Sequence, residues 1–278
     1  MANRLSEALE IAVRTDQGRV RGHNEDAVFA NPGLGVVILA DGMGGYSAGE
    51  VASNMATMLI SSELEAALKC RAPEEADEDG RPYAHRCLLE KVALANESIY
   101  NAAFMQPQYA GMGTTLVAAL FYDNRVSVVH IGDSRLYRLR GSELCAMTRD
   151  HSLLQEQIDS GMITLAEARY SQNRNLVTRA LGVDRQVETE LNDFPVQVGD
   201  IYLLCSDGLN DMVEDEDIRV TLQSLGSDVE RAAAQLVQMA NDKGGRDNVS
   251  VIVIKVSREY PASRSLWARL GNCFRKGR

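Results

Sequence analysis

Three apolar runs in this chain each lead directly into an aspartate followed by a small residue: "ILADG" at Asp41, "VHIGDS" at Asp133 and "LLCSDG" at Asp207. Each run is rich enough in Val, Ile and Leu to be a mostly buried strand. Each carboxylate therefore sits where a core strand emerges. Two further acidic sites precede strand-like runs, Glu25 and Asp26 in "NEDAVFA" and Asp247 in "RDNVSVIVI". A single aspartate in such a place is ordinarily a turn former, bonding nearby backbone N–H groups. Five or six fit that reading less well, because Asn, Ser and Gly serve turns equally. If these strand ends converge, several negative charges crowd together, at a cost in free energy unless cations neutralise them.

The ligands on offer would be all oxygen. The four histidines, His23, His85, His130 and His151, are scattered, and the five cysteines include no C-x-x-C pair. Carboxylate oxygen favours Mg²⁺ or Mn²⁺ over Zn²⁺, and no D-x-[DN]-x-[DN]-G calcium loop is present. Two such ions suit phosphate-ester hydrolysis, with water activated as nucleophile and the attacking and leaving oxygens clamped. Arg21, four residues before Glu25, is a candidate phosphate ligand; an ordinary exposed arginine is the competing reading. The formal net charge of −10 fits a cation-holding cluster or simple solubility, and argues against a nucleic-acid partner.

The stretch "LADGMGGYS" invites a different reading, a glycine loop for a nucleotide phosphate. The dinucleotide fingerprint needs glycine at 42, 44 and 47, but position 47 is Ser47. Asp41 at the entry would repel a pyrophosphate. A metal reverses that logic, since Asp41 and an open Gly42 carbonyl could face one cation.

Strands are expected at 35–40, 114–122, 125–131, 135–140, 200–205 and 249–256, with a hairpin turning at Asp123-Asn124. Helices are expected at 47–69, 85–104 and 228–241. The first would place Val51, Met55, Met58, Leu59 and Ser62 near one face. Long helices mixed with many strands indicate layers of both. Residues 70–85 read as an acidic surface loop, and 151–182 as irregular, with short helical pieces, either a flap or a plain connection. The basic segment 257–278 reads as a disordered tail. Leu266, Trp267, Leu270 and Phe274 could also share a helical face, compatible with weak contact to an anionic membrane surface or a partner groove. No apolar stretch approaches the ~18 residues a membrane span needs, and no secretory signal is evident, so a cytoplasmic location is expected.

Eight motifs in order resemble the metal-dependent protein phosphatases of the 2C type, especially compact bacterial members. They are "RTDQGRVRGHNEDA" (14–27), "LADGMGGYSAGEVAS" (39–53), "GMGTTLVAAL" (111–120), "VHIGDSRLYRLR" (129–140), "MTRDHS" (147–152), "NLVTRALG" (175–182), "LLCSDGLNDMV" (203–213) and "GGRDNVSVIVI" (244–254). The resemblance implies an α+β fold: a four-layer α-β-β-α sandwich of two antiparallel sheets, with a flap subdomain at about 152–180. The catalytic domain would span 1–256. It implies a monomeric Ser/Thr phosphatase that acts on phosphorylated proteins through a metal-bridging water and opposes a cognate kinase. A non-catalytic phosphoprotein-binding module on the same fold is the alternative. Carried over, Asp41 bridges two Mn²⁺ or Mg²⁺ ions. Asp207 and Asp247 complete the first, and the Gly42 carbonyl with waters held by Glu25 and Asp26 completes the second. Asp133 with Asp207 matches a third, and Arg21 matches the phosphate ligand. Thr114, Ser134, Arg135 and Asn248 match supports of the site. Met43 stands where many relatives carry a histidine proposed as general acid, and methionine has no proton to give.

Overall fold

The structure, a computed structural model, describes residues 2–45, 47–164, 167 and 176–262. One sheet contains β1 (Leu9–Asp16), β7 (Arg135–Arg140), β8 (Glu143–Ala146), β10 (Ile201–Cys205) and β11 (Val249–Val256), in the order β1-β11-β10-β7-β8. The other contains β2 (Asp26–Asn31), β3 (Val36–Met43), β5 (Leu116–Tyr122), β6 (Arg125–Ile131) and β9 (Glu190–Pro195), in the order β2-β3-β5-β6-β9; the short β4 (Gly113–Thr114) pairs with β3. Neighbouring strands are antiparallel throughout.

The sheets pack face to face around Leu39, Val117, Phe121, Tyr202, Leu204 and Ile252. Alternate residues of the same strands point outward to helices, as the two-residue period requires. Ile38, Leu116 and Leu120 meet α2 (Ala48–Cys70) and α3 (Tyr83–Met105). Leu203, Val251 and Val253 meet α6 (Asp215–Leu225) and α7 (Val229–Asp242) on the far side. Near-continuous apolar strands are what a sheet covered on both faces demands. The expected α-β-β-α sandwich is therefore observed. Three short helices, α1 (Ala2–Ala8), α4 (Leu153–Asp159) and α5 (Asp207–Asn210), and a 3-10 turn at Pro107–Tyr109 complete the described elements.

The hairpin turns where expected. Asp123 (φ 42°) and Asn124 (φ 55°) are both left-handed, as a two-residue type I′ turn requires. The apolar face expected for α2 is buried only in part: Val51, Met55 and Leu59 pack half-buried against the core, while Met58 and Ser62 are exposed. Met58 is 68% exposed, and the helix rests most deeply on Ala48, Gly49, Ala52, Ser53, Ala56, Ile60 and Leu64. Small side chains let the helix lie close to the sheet, a preference that counting large apolar residues overlooks.

The 71–82 connection is ordered by Arg71, which donates to Glu75, Asp77 and the Ala76 carbonyl while its guanidinium lies over Tyr83. Of the expected flap, Ser152 bridges to Val177, and the Leu153 N–H donates to the Leu176 carbonyl. Residues 257–262 dock on the sandwich: Tyr260 is buried, and its N–H donates to Asn124 Oδ1 at 2.6 Å. Leu266, Trp267, Leu270 and Phe274 lie outside the described residues. No described helix is long and apolar enough to cross a membrane.

Antiparallel register sorts the chain into two poles. Asp16, Ile131, Cys205 and Val249 end or begin strands at one pole, where Asp41 lies two residues inside the end of β3; Leu9, Val36, Asp123 and Val256 lie at the other. All the singled-out carboxylates lie at the first.

Candidate active site and metal centre

Asp26 and Asp41 are register partners across β2 and β3. Asp41 lies inside its strand rather than at its end, because Gly42 and Met43 continue it by pairing with Thr114 and Gly113. The Asp41 backbone is held on both sides: its N–H donates to Thr115 Oγ1 at 3.0 Å, and its carbonyl accepts from Thr114 Oγ1 at 2.8 Å. Thr115 Oγ1 in turn meets Ser134 Oγ at 2.7 Å. The Gly42 N–H donates to the Glu25 carbonyl, which also accepts from Ser53 Oγ. A Cβ at Gly42 would lie 2.2 Å from the Gly49 carbonyl oxygen, so glycine is what lets α2 begin against the strand.

The other sheet contributes Asp207 at the start of α5 and Asp247 just before β11. Arg21 Nη2 donates to Asp247 Oδ2 at 2.6 Å, and the Asn248 N–H donates to Asp247 Oδ1 at 2.9 Å. The Asn248 side chain accepts from the Glu25 N–H at 2.8 Å and donates to the Gln17 and His23 carbonyls, both at 2.9 Å. It thereby holds the 17–25 loop, which carries Arg21 and Glu25. Ser206 Oγ donates to Asp26 Oδ2 at 2.9 Å and ties the two sheets together at this pole. Asp133 follows β6, and two residues on Arg135 grips Asp150 with both arms of its guanidinium.

Electrostatics make one group of these acids. Burial holds the Asp41 carboxyl well above the usual range, and the charges of Asp26, Asp207, Asp133 and Asp247 add to it. Burial does the same to Asp207, with Asp133, Asp247, Asp211 and Asp26 adding. Asp26 is pushed up to about 6 by burial and by Asp247, against hydrogen bonds from Ser250 and Ser206. Asp133 is pushed up to about 6 by burial, then by Asp150 and Asp211. Asp26 Oδ1 and Asp207 Oδ1 are buried without a hydrogen-bond partner among the described residues. Carboxylate oxygens that repel one another and lack donors fit hard divalent cations.

All the site residues expected from sequence reach this pole, though not in equal roles. Glu25 contributes its backbone to the scaffold, while its carboxylate pairs with His23 Nε2 at 3.1 Å. Met43 turns its methyl toward Gly113. Sequence reasoning missed Asp150 and the chain of bonds from the Ser250 N–H to Ser206 Oγ and from Ser206 Oγ to Asp26, whose partners are far apart in the chain.

It also gave no role to His130 and His151, which stack with centroids 4.7 Å apart. With Glu190 they form, among the described residues, the trio whose ligand atoms all lie within 4.8 Å of one another. Hydrogen bonding assigns those atoms elsewhere. His130 Nε2 lies 2.8 Å from the Arg149 carbonyl, which can only accept, so that nitrogen carries a proton. The Gly132 N–H donates to His151 Nδ1, which leaves the His151 proton on Nε2, toward Glu190. The trio fastens the Asp133 turn to the start of the 152–180 segment.

The fold and site define a class: a two-sheet α+β sandwich with a carboxylate-lined pole suited to divalent cations. The family model "Protein phosphatase 2C" matches residues 18–250. The chain is 43% identical over 253 residues to the serine/threonine protein phosphatase PstP of Mycobacterium tuberculosis, covering 91% of this chain but 46% of that one. It is 38% identical to the serine/threonine phosphatase stp of Listeria welshimeri, covering 87% of this chain and 94% of that one. A solved catalytic domain of PstP in complex with 2 manganese ions superposes with a TM-score of 0.76 at 41% identity, covering 90% of this chain and 99% of that one. The chain thus spans about half the length of PstP and nearly all of the Listeria protein. It belongs to the protein phosphatase 2C family.

Proposed function

We propose that this chain is a metal-dependent protein serine/threonine phosphatase that removes phosphate from phosphoserine and phosphothreonine. The observation that carries the reading is the gathering of Asp26, Asp41, Asp133, Asp207 and Asp247 at one pole, with two buried oxygens lacking partners among the described residues. Asp41, Asp207, Asp247 and the Gly42 carbonyl would hold two Mn²⁺ or Mg²⁺ ions, with Glu25 and Asp26 acting through water and Asp133 serving a third. Such ions, when bound, supply an activated water and neutralise charge on the reacting phosphate. The chain's own part is binding and orientation. Arg21 is half exposed and offers its fork to a phosphate beside the Asp247 carboxylate. Thr114, Thr115 and Asn248 fix the backbone that carries the acids. A cytoplasmic, monomeric enzyme opposing a Ser/Thr kinase fits this reading.

The test is turnover of p-nitrophenyl phosphate and a phosphothreonine peptide with Mn²⁺, with Mg²⁺ and with chelator. Activity in the first two conditions and its loss in the third is expected. Chelator-resistant activity, or none from a folded chain, overturns the proposal.

A further inference from the structure

Two glycine-containing loops meet beside Asp247. In one, Gly18 (φ +80°) approaches so closely that a Cβ would lie 2.2 Å from the Asp247 carbonyl oxygen. In the other, a Cβ on Gly245 would lie 2.8 Å from Arg19 Cγ, so the stem of Arg19 rests over that glycine. The Arg19 N–H donates to the Gly245 carbonyl at 2.7 Å. Asp16 Oδ1 accepts from both the Gly18 N–H and Asn241 Nδ2, and Gln17 Nε2 donates to the Arg21 carbonyl. The roots of Arg19, Arg21 and Arg246 are therefore fixed relative to one another.

Their heads differ. Arg21 is paired with Asp247, whereas Arg19 and Arg246 are exposed and make no ion pair or side-chain hydrogen bond among the described residues. The nearby carboxylates already have partners: Asp16 as above, Asp242 from Gln238, Glu25 from His23 and Asp247 from Arg21. Two unneutralised guanidiniums on a chain of net charge −10, rooted at the mouth of its acidic pole, make a local cationic rim.

We infer that Arg19 and Arg246 form a second anion subsite, for a carboxylate or phosphate borne by a residue next to the phosphorylated one in a peptide substrate. The assignment rests on the phosphatase reading above and narrows its substrate class. Arg21 takes the phosphate to be removed, and the rim takes the neighbouring anion. Val20, 69% exposed and between Arg19 and Arg21 in the sequence, offers the peptide an apolar contact.

The test compares three phosphothreonine peptides, with neutral, aspartate and phosphoserine flanks, on the wild type and the Arg19→Gln/Arg246→Gln double variant. The double variant should lose about fivefold to twentyfold in kcat/KM on the anionic peptides. On the neutral peptide and on p-nitrophenyl phosphate the change should stay below about twofold. Arg231→Gln, on an exposed face of α7, should leave the ranking unchanged. The anionic flank with the larger loss identifies the preferred anion. Equal losses on all peptides, or no loss on the anionic ones, overturn the subsite. Peptide binding to the Mn²⁺-loaded protein, followed by fluorescence anisotropy, separates the two readings. Charge-selective binding without turnover would sink the phosphatase proposal and keep the subsite.

Discussion

Arg21 and Asp247, 226 residues apart in the chain, meet at 2.6 Å where the 17–25 loop folds over the start of β11. The pairing raises the affinity of the guanidinium for its proton, chiefly through that hydrogen bond, and places the cation beside a candidate metal ligand. A bound phosphate would share this fork with the carboxylate. Replacing Arg21 by Ala should lower kcat/KM for a phosphopeptide by about 10-fold to 150-fold, the equivalent of one charged hydrogen bond. Arg21→Lys keeps the charge and loses the fork, so it should recover only part of the loss. Steady-state kinetics on the three proteins decides it; full activity in Arg21→Ala would remove the residue from the site.

The carboxylate group gives the metal-free protein an unusual response to pH. Asp26 and Asp133 are both raised from 3.8 to about 6, mainly by burial. A raised carboxyl contributes stability that is complete below its unfolded pKa and lost as pH rises through its folded pKa. Both should therefore cost the metal-free fold stability as pH rises from the ordinary carboxylate range through about 6. His151 works oppositely: burial lowers its pKa, so it costs stability as pH falls below 6.5. The carboxylates outnumber it. With chelator, Tm should therefore be higher near pH 5 than near pH 7.5, and Mn²⁺ should raise Tm most at the higher pH. Asp133→Asn should shrink the pH difference. A metal-free Tm that climbs steadily with pH across this range refutes the account.

Asn248 spends its whole side-chain amide on the loop that carries Arg21 and Glu25. Asn248→Ala removes three largely buried hydrogen bonds, worth about 3 kcal/mol together, which for a domain of this size lowers Tm by roughly 5–10 °C. A purely structural role would leave kcat intact well below that Tm. The expectation is instead at least a tenfold fall in kcat at low temperature, with an increase in the Mn²⁺ concentration needed for half-maximal activity.

The site was legible in sequence where chemistry repeats locally. Apolar runs ending in Asp133 and Asp207 gave the right pole without any structure, and Asp123-Asn124 gave the hairpin. Asp41 was less legible: it lies inside β3, because a two-residue strand from elsewhere extends the pairing past it. The buried face of α2 was legible only in part: Val51, Met55 and Leu59 touch the core, but small residues such as Ala48, Gly49, Ala52 and Ala56 lie deepest while Met58 points to solvent. Links such as Ser206 to Asp26, or Arg135 to Asp150, join residues that no local pattern connects. They depend on how two sheets meet, and that becomes visible only once the strands are paired.

The glycines after Asp41 admit a direct test of what they are for. If they cradled a phosphate, their roles would be similar. The structure separates them. A Cβ on Gly42 meets backbone on two sides, 2.2 Å from the Gly49 carbonyl oxygen and 2.6 Å from that of Glu25, whereas a Cβ on Gly45 meets nothing within 4 Å among the described residues. Neither obstacle at Gly42 is a flexible side chain that could swing aside. Gly42→Ala must push the start of α2 away from β3, a cost of about 1–3 kcal/mol. The movement would displace the Glu25 and Asp41 backbones together. Gly42→Ala should therefore lower Tm by roughly 3–10 °C and raise the Mn²⁺ requirement for activity, while Gly45→Ala leaves both close to wild type. Thermal melts and Mn²⁺ titrations of the two variants provide the measurement. Equal behaviour of the pair would mean that the close approach at Gly42 does not hold the backbone of the candidate metal ligands in place.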